Sequence, residues 1–337
     1  MTTKARSVFL GLSIALPMIF GGTFAFAQEQ KVTFSLEWLI SGRHVGFFVA
    51  KDKGFYRDEG LDVTIDRGYG SSDSATRVAA GSADFAIVSV TTVIQAIGDN
   101  KAPIELVSTF FNDGPEAILT LKSSGITTPL QLDHKRIGSG TTSSSLQLLP
   151  ALVKKTGMKE FQVIKMSGDQ IYPALLTKSV DAITGFTDNV TIVGPAAKKQ
   201  GDDVVVIPYS EFGVDNYGSG IVVNVKRIET DDPIIKRFLS ASLKGIAWAV
   251  QNPDEAVAIL RKYVPTVDQS IELETWKTDQ KLIVTKETRE HGLGYMSRDR
   301  MQKTYEAVRE HLGLKEFVAI DRIFTTKFLP VVRVSEH

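Results

Sequence analysis

An α/β protein of two hinged lobes is the fold that this sequence predicts. Three observations predict it. Strand-like runs, alternating or continuously apolar, are followed again and again by apolar residues at helical spacing. About 310 residues remain once an N-terminal leader is set aside, a length suited to two ordinary domains. A strand-like segment near residue 220 returns to the first set, so the chain crosses between the lobes twice. Two crossings make a hinge, and a cleft between hinged lobes is a usual place for a small ligand.

The elements follow in order. KVTFSLEW (31–38) alternates as a strand, and VGFFVAKDKGFYRDEG has helical spacing broken at Gly54 and ended at Gly60. LDVTIDRG (61–68) is a second strand. SSDSATRVAAGSA is a helix whose serines and Asp73 can cap its start, with Gly81 as its stop. DFAIVSV (84–90) is a continuously apolar strand, TTVIQAIGDN a helix and IELVSTFF (104–111) a strand. This βαβαβ order favours a mostly parallel, helix-covered sheet. A second set begins at GPEAILTLKSSGI. It continues through a strand, glycine turn and helix in LDHKRIGSGTTSSSLQLLPALVKKTGM, then strand FQVIKMS, helix GDQIYPALLTKSV, strand DAITGF, helix NVTIVGPAAKKQG and strand DVVVIPYSEF. SGIVVNVKRI is the returning strand, and beyond Pro233 the pattern is mainly helical. The crossings are expected near 118–124 and 220–226. Lobe one is then 28–120 plus 224–337, and lobe two is 121–223.

The N-terminus fixes the expected compartment. Lys4 and Arg6 precede an apolar run from Val8 to Phe20, and Ala25-Phe26-Ala27 forms a cleavage site, so residues 1–27 read as a secretory signal peptide cut after Ala27. No later run has about 18 consecutive apolar residues, as a spanning helix would need. Lysine plus arginine equals aspartate plus glutamate, at 39 each, and no basic run occurs, which argues against a nucleic-acid partner. The sequence has 0 cysteines, which excludes disulfides, thiolate chemistry and cysteine-based metal sites. The five histidines are scattered, without metal-ligand spacing, so no metal site and no cofactor is expected. A periplasmic monomer fits these features.

Candidate site residues come from loops at the carboxyl ends of strands, where open α/β sheets bind ligands. Loop one offers Trp38, whose flat indole can stack on a planar ligand, and His44, which can donate to an acceptor; Arg43 beside them reads mainly as a solvated charge. Trp38 has a second reading, as a core residue closing the sheet end. Loop two offers Ser89, Thr91 and Thr92 at a helix start, as ligand anchors or plain caps. Loop three, GSGTTSSS (138–145), offers Gly140, Thr141, Thr142 and Ser143. It lacks the ending of a phosphate-binding P-loop and the spacing of a nucleophile elbow. Loop four offers Asp188, Asn189, Asp215 and Tyr217, while Asn112 and Glu116 sit near the first crossing; each Asn or Asp is equally a turn former.

These residues carry a family resemblance. FSLEW…HVGFFVAKDKGFYRDEGLDV, followed by AAGSADFAIVSV, resembles the opening of periplasmic substrate-binding proteins of ABC importers. LKSSGITTPLQLDHKRIGSG and LLTKSVDAITGF extend the likeness, which covers roughly residues 31 to 260. The branch it is most similar to binds thiamine pyrimidine precursors such as formylaminopyrimidine and is related to alkanesulfonate, taurine and nitrate binders. The resemblance implies a type II-like two-lobed binding-protein fold, a mixed, mostly parallel sheet in each lobe, hinge closure, a small-molecule ligand, and an ABC permease with its ATPase as partners. It aligns Trp38, after Glu37, with the family's cleft tryptophan, His44 with a cleft histidine, and Asn189 with an asparagine of lobe two. Thr191 stands where pyrimidine binders have an acidic residue, and Asp188 where they have an aromatic one. The same superfamily includes an enzyme that makes the pyrimidine phosphate. Val88 and Thr92 stand where it has its cofactor lysine and donor histidine, and YGSGIVVNV lacks its cysteines. The expectation is therefore a non-enzymatic binder of a planar heteroaromatic compound. A sulfonate, taurine or nitrate-type oxyanion is the alternative ligand.

Overall fold

The computed structural model describes residues 1–2, 29–214, 216–230 and 232–334. The leader's apolar run, its cleavage site and Asp215 lie outside the described residues. No helix among the described residues is long and apolar enough to cross a membrane.

The first unit runs β1 (Gln30–Ser35), α1 (Val45–Asp52), α2 (Phe55–Asp58), β2 (Leu61–Asp66), α3 (Ser71–Ala79), β3 (Phe85–Ser89), α4 (Val90–Asn100) and β4 (Ile104–Phe111). The second runs β5 (Glu116–Leu121), β6 (Arg136–Gly140), α5 (Ser144–Thr156), β7 (Gln162–Met166), α6 (Gly168–Leu176), β8 (Ala182–Phe186), α7 (Asn189–Lys199) and β9 (Val204–Pro208). The chain then returns through β10 (Ser219–Asn224) and continues as α8 (Val225–Glu229), α9 (Pro233–Gln251), α10 (Pro253–Tyr263), α11 (Gln269–Ile283), α12 (Lys286–His291) and α13 (Arg298–Leu312).

The described strands form two five-stranded sheets, ordered β2-β1-β3-β10-β4 and β7-β6-β8-β5-β9. In the first, β2, β1 and β3 are parallel and β10 is antiparallel to both its neighbours. In the second, β7, β6 and β8 are parallel and β5 is antiparallel to β8 and β9. The two-lobed, mixed-sheet α/β class expected from the sequence is the one observed, and β10 returns to the first sheet as anticipated.

The crossings lie elsewhere than expected. All of β5 pairs in the second sheet, so the first crossing is 112–115 rather than 118–124. All of β10 pairs in the first, which puts the second crossing before Ser219 rather than at 220–226. The reason is physical: β5 and β10 are buried on both faces, so their apolar runs carry no mark of the sheet they join.

Each lobe has its own core. In lobe one, Phe34, Phe85 and Tyr56 surround Phe238 of α9, with the Phe85 and Phe238 rings stacked at 4.0 Å between centroids. In lobe two, Ile118, Ile137 and Ala182 of the sheet pack on Leu148, Leu149 and Leu152 of α5. The C-terminal helices belong mainly to lobe one, yet they brace both lobes: α11 touches α7, and α13 touches α4 and α5.

Candidate ligand-binding site

Loop one follows β1 and is pinned from two sides. Ser41 to His44 make a short turn that enters α1, and the Gly42 N–H donates to the Glu272 carboxylate of α11. This turns Arg43 and His44 inward, and both are buried. The Ser41 N–H donates to His44 Nδ1 at 3.3 Å, so Nε2 carries the proton that faces both Glu37 oxygens at 3.2 Å. His44 therefore orients Glu37, and it does not line the interlobe cavity. Burial pushes the Glu37 carboxyl up, but His44 and Arg43 outweigh it and hold the group below its ordinary range.

Arg43, read from the sequence as a surface charge, is a buried ion-pair hub. Its guanidinium pairs with Asp188, the residue that precedes α7 in lobe two, and lies 3.7 Å from Glu37 and 4.0 Å from Asp279 of α11. It also sits over the Phe186 ring, 4.9 Å from the centroid. Burial opposes its charge, but Asp188, Asp279 and Glu37 keep it firmly protonated.

Trp38 is the partly exposed member of the loop, and its indole reaches into lobe two. A β-carbon on Gly140 would lie 2.8 Å from its ring, and one on Gly168 also 2.8 Å, so the glycines that end β6 and begin α6 make the seat for this side chain. The indole packs against the same cluster as Ile171 and Leu175 of α6.

These side chains wall an interlobe cavity of about 430 Å³ when the open solvent at its mouth is counted. Glu37, Trp38, Arg43, Gly70 and Ser71 come from lobe one. Ser143, Ser144 and Ser145 at the start of α5, Ile171 and Tyr172 of α6, Thr184, Gly185 and Phe186 of β8, and Asn189 of α7 come from lobe two. The serine-threonine turn thus faces Trp38 across the cleft.

Of the residues expected at a site, Trp38, Ser143 and Asn189 line this cavity and Gly140 backs the indole. Ser143 caps α5 by accepting from the Leu146 N–H at 3.3 Å, and Asn189 accepts from the Phe186 N–H at 2.9 Å. Asp188 and His44 stand one layer behind the wall. Thr142 donates to the Tyr69 carbonyl, and Thr92 donates to Gln147, which in turn donates to Ser72 at 2.5 Å; both contacts join the lobes outside the cavity. Thr141 is exposed.

Ser89 and Thr91 are buried at the end of β3 and the start of α4, with hydroxyls that lack a partner, and neither lines the cavity. Asn112 is tied into the C-terminal segment, accepting from Thr285 at 2.8 Å and Arg300 at 2.7 Å. Tyr217 is buried in the core of lobe one, its hydroxyl 3.0 Å from Glu287 and its ring under Arg300 at 4.4 Å, and it does not line the cavity. Glu116 begins β5 at the first crossing, beside Ser144 and Asn216. Burial pushes its carboxyl up to about 7, with its own backbone, Ser144 and Asn216 opposing.

Several residues of the site were not anticipated. Ser71 sits at a helix start much like that of loop three, a signal open to sequence reading. Phe186 ends β8, and Tyr172 lies in α6, the helix that follows β7, so both sit on the carboxyl side of their strands. Asp279 lies in a helix whose sequence gave no sign of a role.

Residues 41–256 match the family described as NMT1/THI5 like. The chain belongs to the NMT1/THI5-like family. It is 26% identical over 309 residues to the riboflavin-binding protein RibY of Chloroflexus aurantiacus, covering 89% of this chain and 86% of that one. It is 25% identical over 233 residues to a formylaminopyrimidine-binding protein of Halalkalibacterium halodurans, covering 68% of this chain and 70% of that one. Other relatives are named 4-amino-5-hydroxymethyl-2-methylpyrimidine phosphate synthases, among them one of Candida albicans at 24% identity. The solved alkanesulfonate-binding protein SsuA of Xanthomonas axonopodis pv. citri, bound to MOPS, superposes with a TM-score of 0.64 at 14% identity, covering 87% of this chain and 97% of that one. The fold is that of periplasmic binding proteins.

Proposed function

We propose that this NMT1/THI5-like protein is a periplasmic solute-binding protein that captures a small planar heteroaromatic compound between its lobes and delivers it to an ABC permease. One observation carries the choice of ligand: the cavity pairs a partly exposed indole, Trp38, with a guanidinium, Arg43, that is already neutralised by Asp188 and Glu37. An oxyanion needs a free cation or a set of unengaged N–H donors. Among the described lining residues the cation is Arg43, and it is engaged. A neutral or amine-bearing ring instead finds the Trp38 face for stacking, the Glu37 carboxylate and serine hydroxyls for hydrogen bonds, and Tyr172 and Phe186 as apolar walls. The relatives named for riboflavin and formylaminopyrimidine favour the same class.

The synthase reading of the family is disfavoured by Val88 and Thr92 at the places of the lysine and histidine, and by a chain with 0 cysteines. A thermal-shift screen of pyrimidines, flavins, sulfonates, taurine and nitrate tests the proposal. A ligand at about 100 times its Kd adds about 2.7 kcal/mol to stability, a readily seen shift. Trp38→Ala should lower ring affinity about tenfold or more. A clear shift with a sulfonate and none with any ring compound would reject the ring.

A further inference from the structure

We infer that bringing the lobes together places one proton on the Asp188–Asp279 carboxylate pair, so that ligand capture is coupled to proton uptake. The inference rests on the binding-protein reading above and adds a linkage that the reading does not contain.

The two carboxylates come from different lobes. Asp279 is on α11 of lobe one, and Asp188 precedes α7 of lobe two. Both are wholly buried where α11 meets α7, and both face the same guanidinium, that of Arg43. Neither oxygen of Asp279 has a hydrogen-bond donor. Its nearest cation is Arg43, with Nε 4.0 Å away, beyond hydrogen-bond reach, while another arm of that guanidinium is committed to Asp188.

The local charge balance requires the proton. Around Asp279 stand Arg43 of the loop-one turn, Glu37 behind it and Asp188 from α7, while His44 pairs with Glu37, and Glu272 on the same helix as Asp279 accepts from the Gly42 N–H. The charged side chains of α10, the helix packed on the other side, are exposed, and Glu105 of β4 pairs with Arg322. Arg43 therefore stands against Glu37, Asp188 and Asp279 together, away from water, and two like charges in such a place do not both stay ionised. A cationic ligand group does not resolve this, because neither aspartate lines the cavity. Protonation does: a neutral Asp279 becomes a hydrogen-bond donor on the side of Asp188, whose carboxyl oxygen accepts from Arg43. Burial, followed by the field of Asp188, pushes the Asp279 carboxyl far above its ordinary range, in the same direction. When the lobes part, Asp188 leaves with α7, both groups meet water, and the proton is released.

The closed form holds one more proton than the open form above the ordinary carboxylate range. Affinity therefore falls with rising pH by about tenfold per unit, and levels off only where the closed pair itself ionises. Calorimetry at pH 7 in buffers of different ionisation enthalpy tests this, with riboflavin and formylaminopyrimidine as probes. Uptake approaching one proton per ligand supports the inference; binding with no uptake overturns it and leaves the ring reading standing. Asp279→Asn, which mimics the protonated acid, should bind the probe without uptake and with flat pH dependence. If that variant fails to fold, the wild-type uptake still decides. If no ring probe binds, the ring reading fails separately, and the same calorimetry with whichever of a sulfonate, taurine or nitrate does bind decides the proton: uptake approaching one proton supports the inference, and no uptake overturns it.

Discussion

Trp38 crosses from one lobe to the other because Gly140 and Gly168 have no β-carbon to obstruct it. Adding one at Gly168 would set a methyl 2.8 Å from the indole, closer than carbon atoms pack, so the ring or α6 must shift. Gly168→Ala should therefore weaken ring binding by roughly five- to a hundredfold, the range that overpacking of about 1–3 kcal/mol implies. The urea midpoint should move little, because neither lobe's own core is touched. Titration by tryptophan fluorescence beside a urea curve checks both halves. Trp38 was legible from its place at a strand end, and Ser143 and Asn189 from their places at helix starts. His44 was legible as important but not in its role, because a histidine seven residues from a glutamate does not announce which of the two faces the ligand. Arg43 was misplaced for a similar reason. Three carboxylates converge on it, from loop one itself, from α7 and from α11, and the two distant ones come together only in the folded chain.

At the scale of elements, α5 is a clasp as well as a wall. Its first turn carries Ser143 to Ser145 into the cavity, and one turn on, Gln147 bonds Thr92 of α4 and Ser72 of α3. These bonds exist only while the lobes touch, so their removal acts on closure and leaves the ligand's own contacts intact. Gln147→Ala should cost about 1 kcal/mol of closed state, near fivefold in affinity, and appear mainly as faster release. Stopped-flow displacement separates this from Trp38→Ala, which removes a ligand contact directly. The order of strands and helices was legible almost throughout, because periodicity switches cleanly between alternation and helical spacing. The sheet membership of β5 was not. A strand buried on both faces reads the same in either lobe, and the turn before it, Asn112 to Pro115, is as plausible within a lobe as between two.

For the whole molecule, the hinge holds a titrating group of its own. Glu116 follows the first crossing directly, and Asn216, its neighbour, lies in the second; a β-carbon on Gly114 would lie 2.9 Å from that amide and 3.0 Å from the Glu116 carboxylate. Glu116 is buried, and its carboxyl stands at about 7 instead of 4.5 because burial outweighs its hydrogen bonds. A raised carboxyl means that the folded chain binds a proton which the unfolded chain has released. Stability from this group therefore falls as pH rises from 4.5 towards 7 and is level above it. The ceiling is about 3 kcal/mol, because a tenfold difference in proton affinity between folded and unfolded chain is worth about 1.36 kcal/mol. Glu116→Gln keeps the shape and removes the charge, so at pH 8 it should be the more stable protein, and near pH 4.5 the two should converge. Urea denaturation at both pH values measures the difference, and because every other carboxylate is common to the pair, the change between them belongs to Glu116. A variant less stable than wild type at pH 8 would mean that the ionised carboxylate is held by bonds to the crossing that outweigh its burial, and the hinge would then be locked by charge.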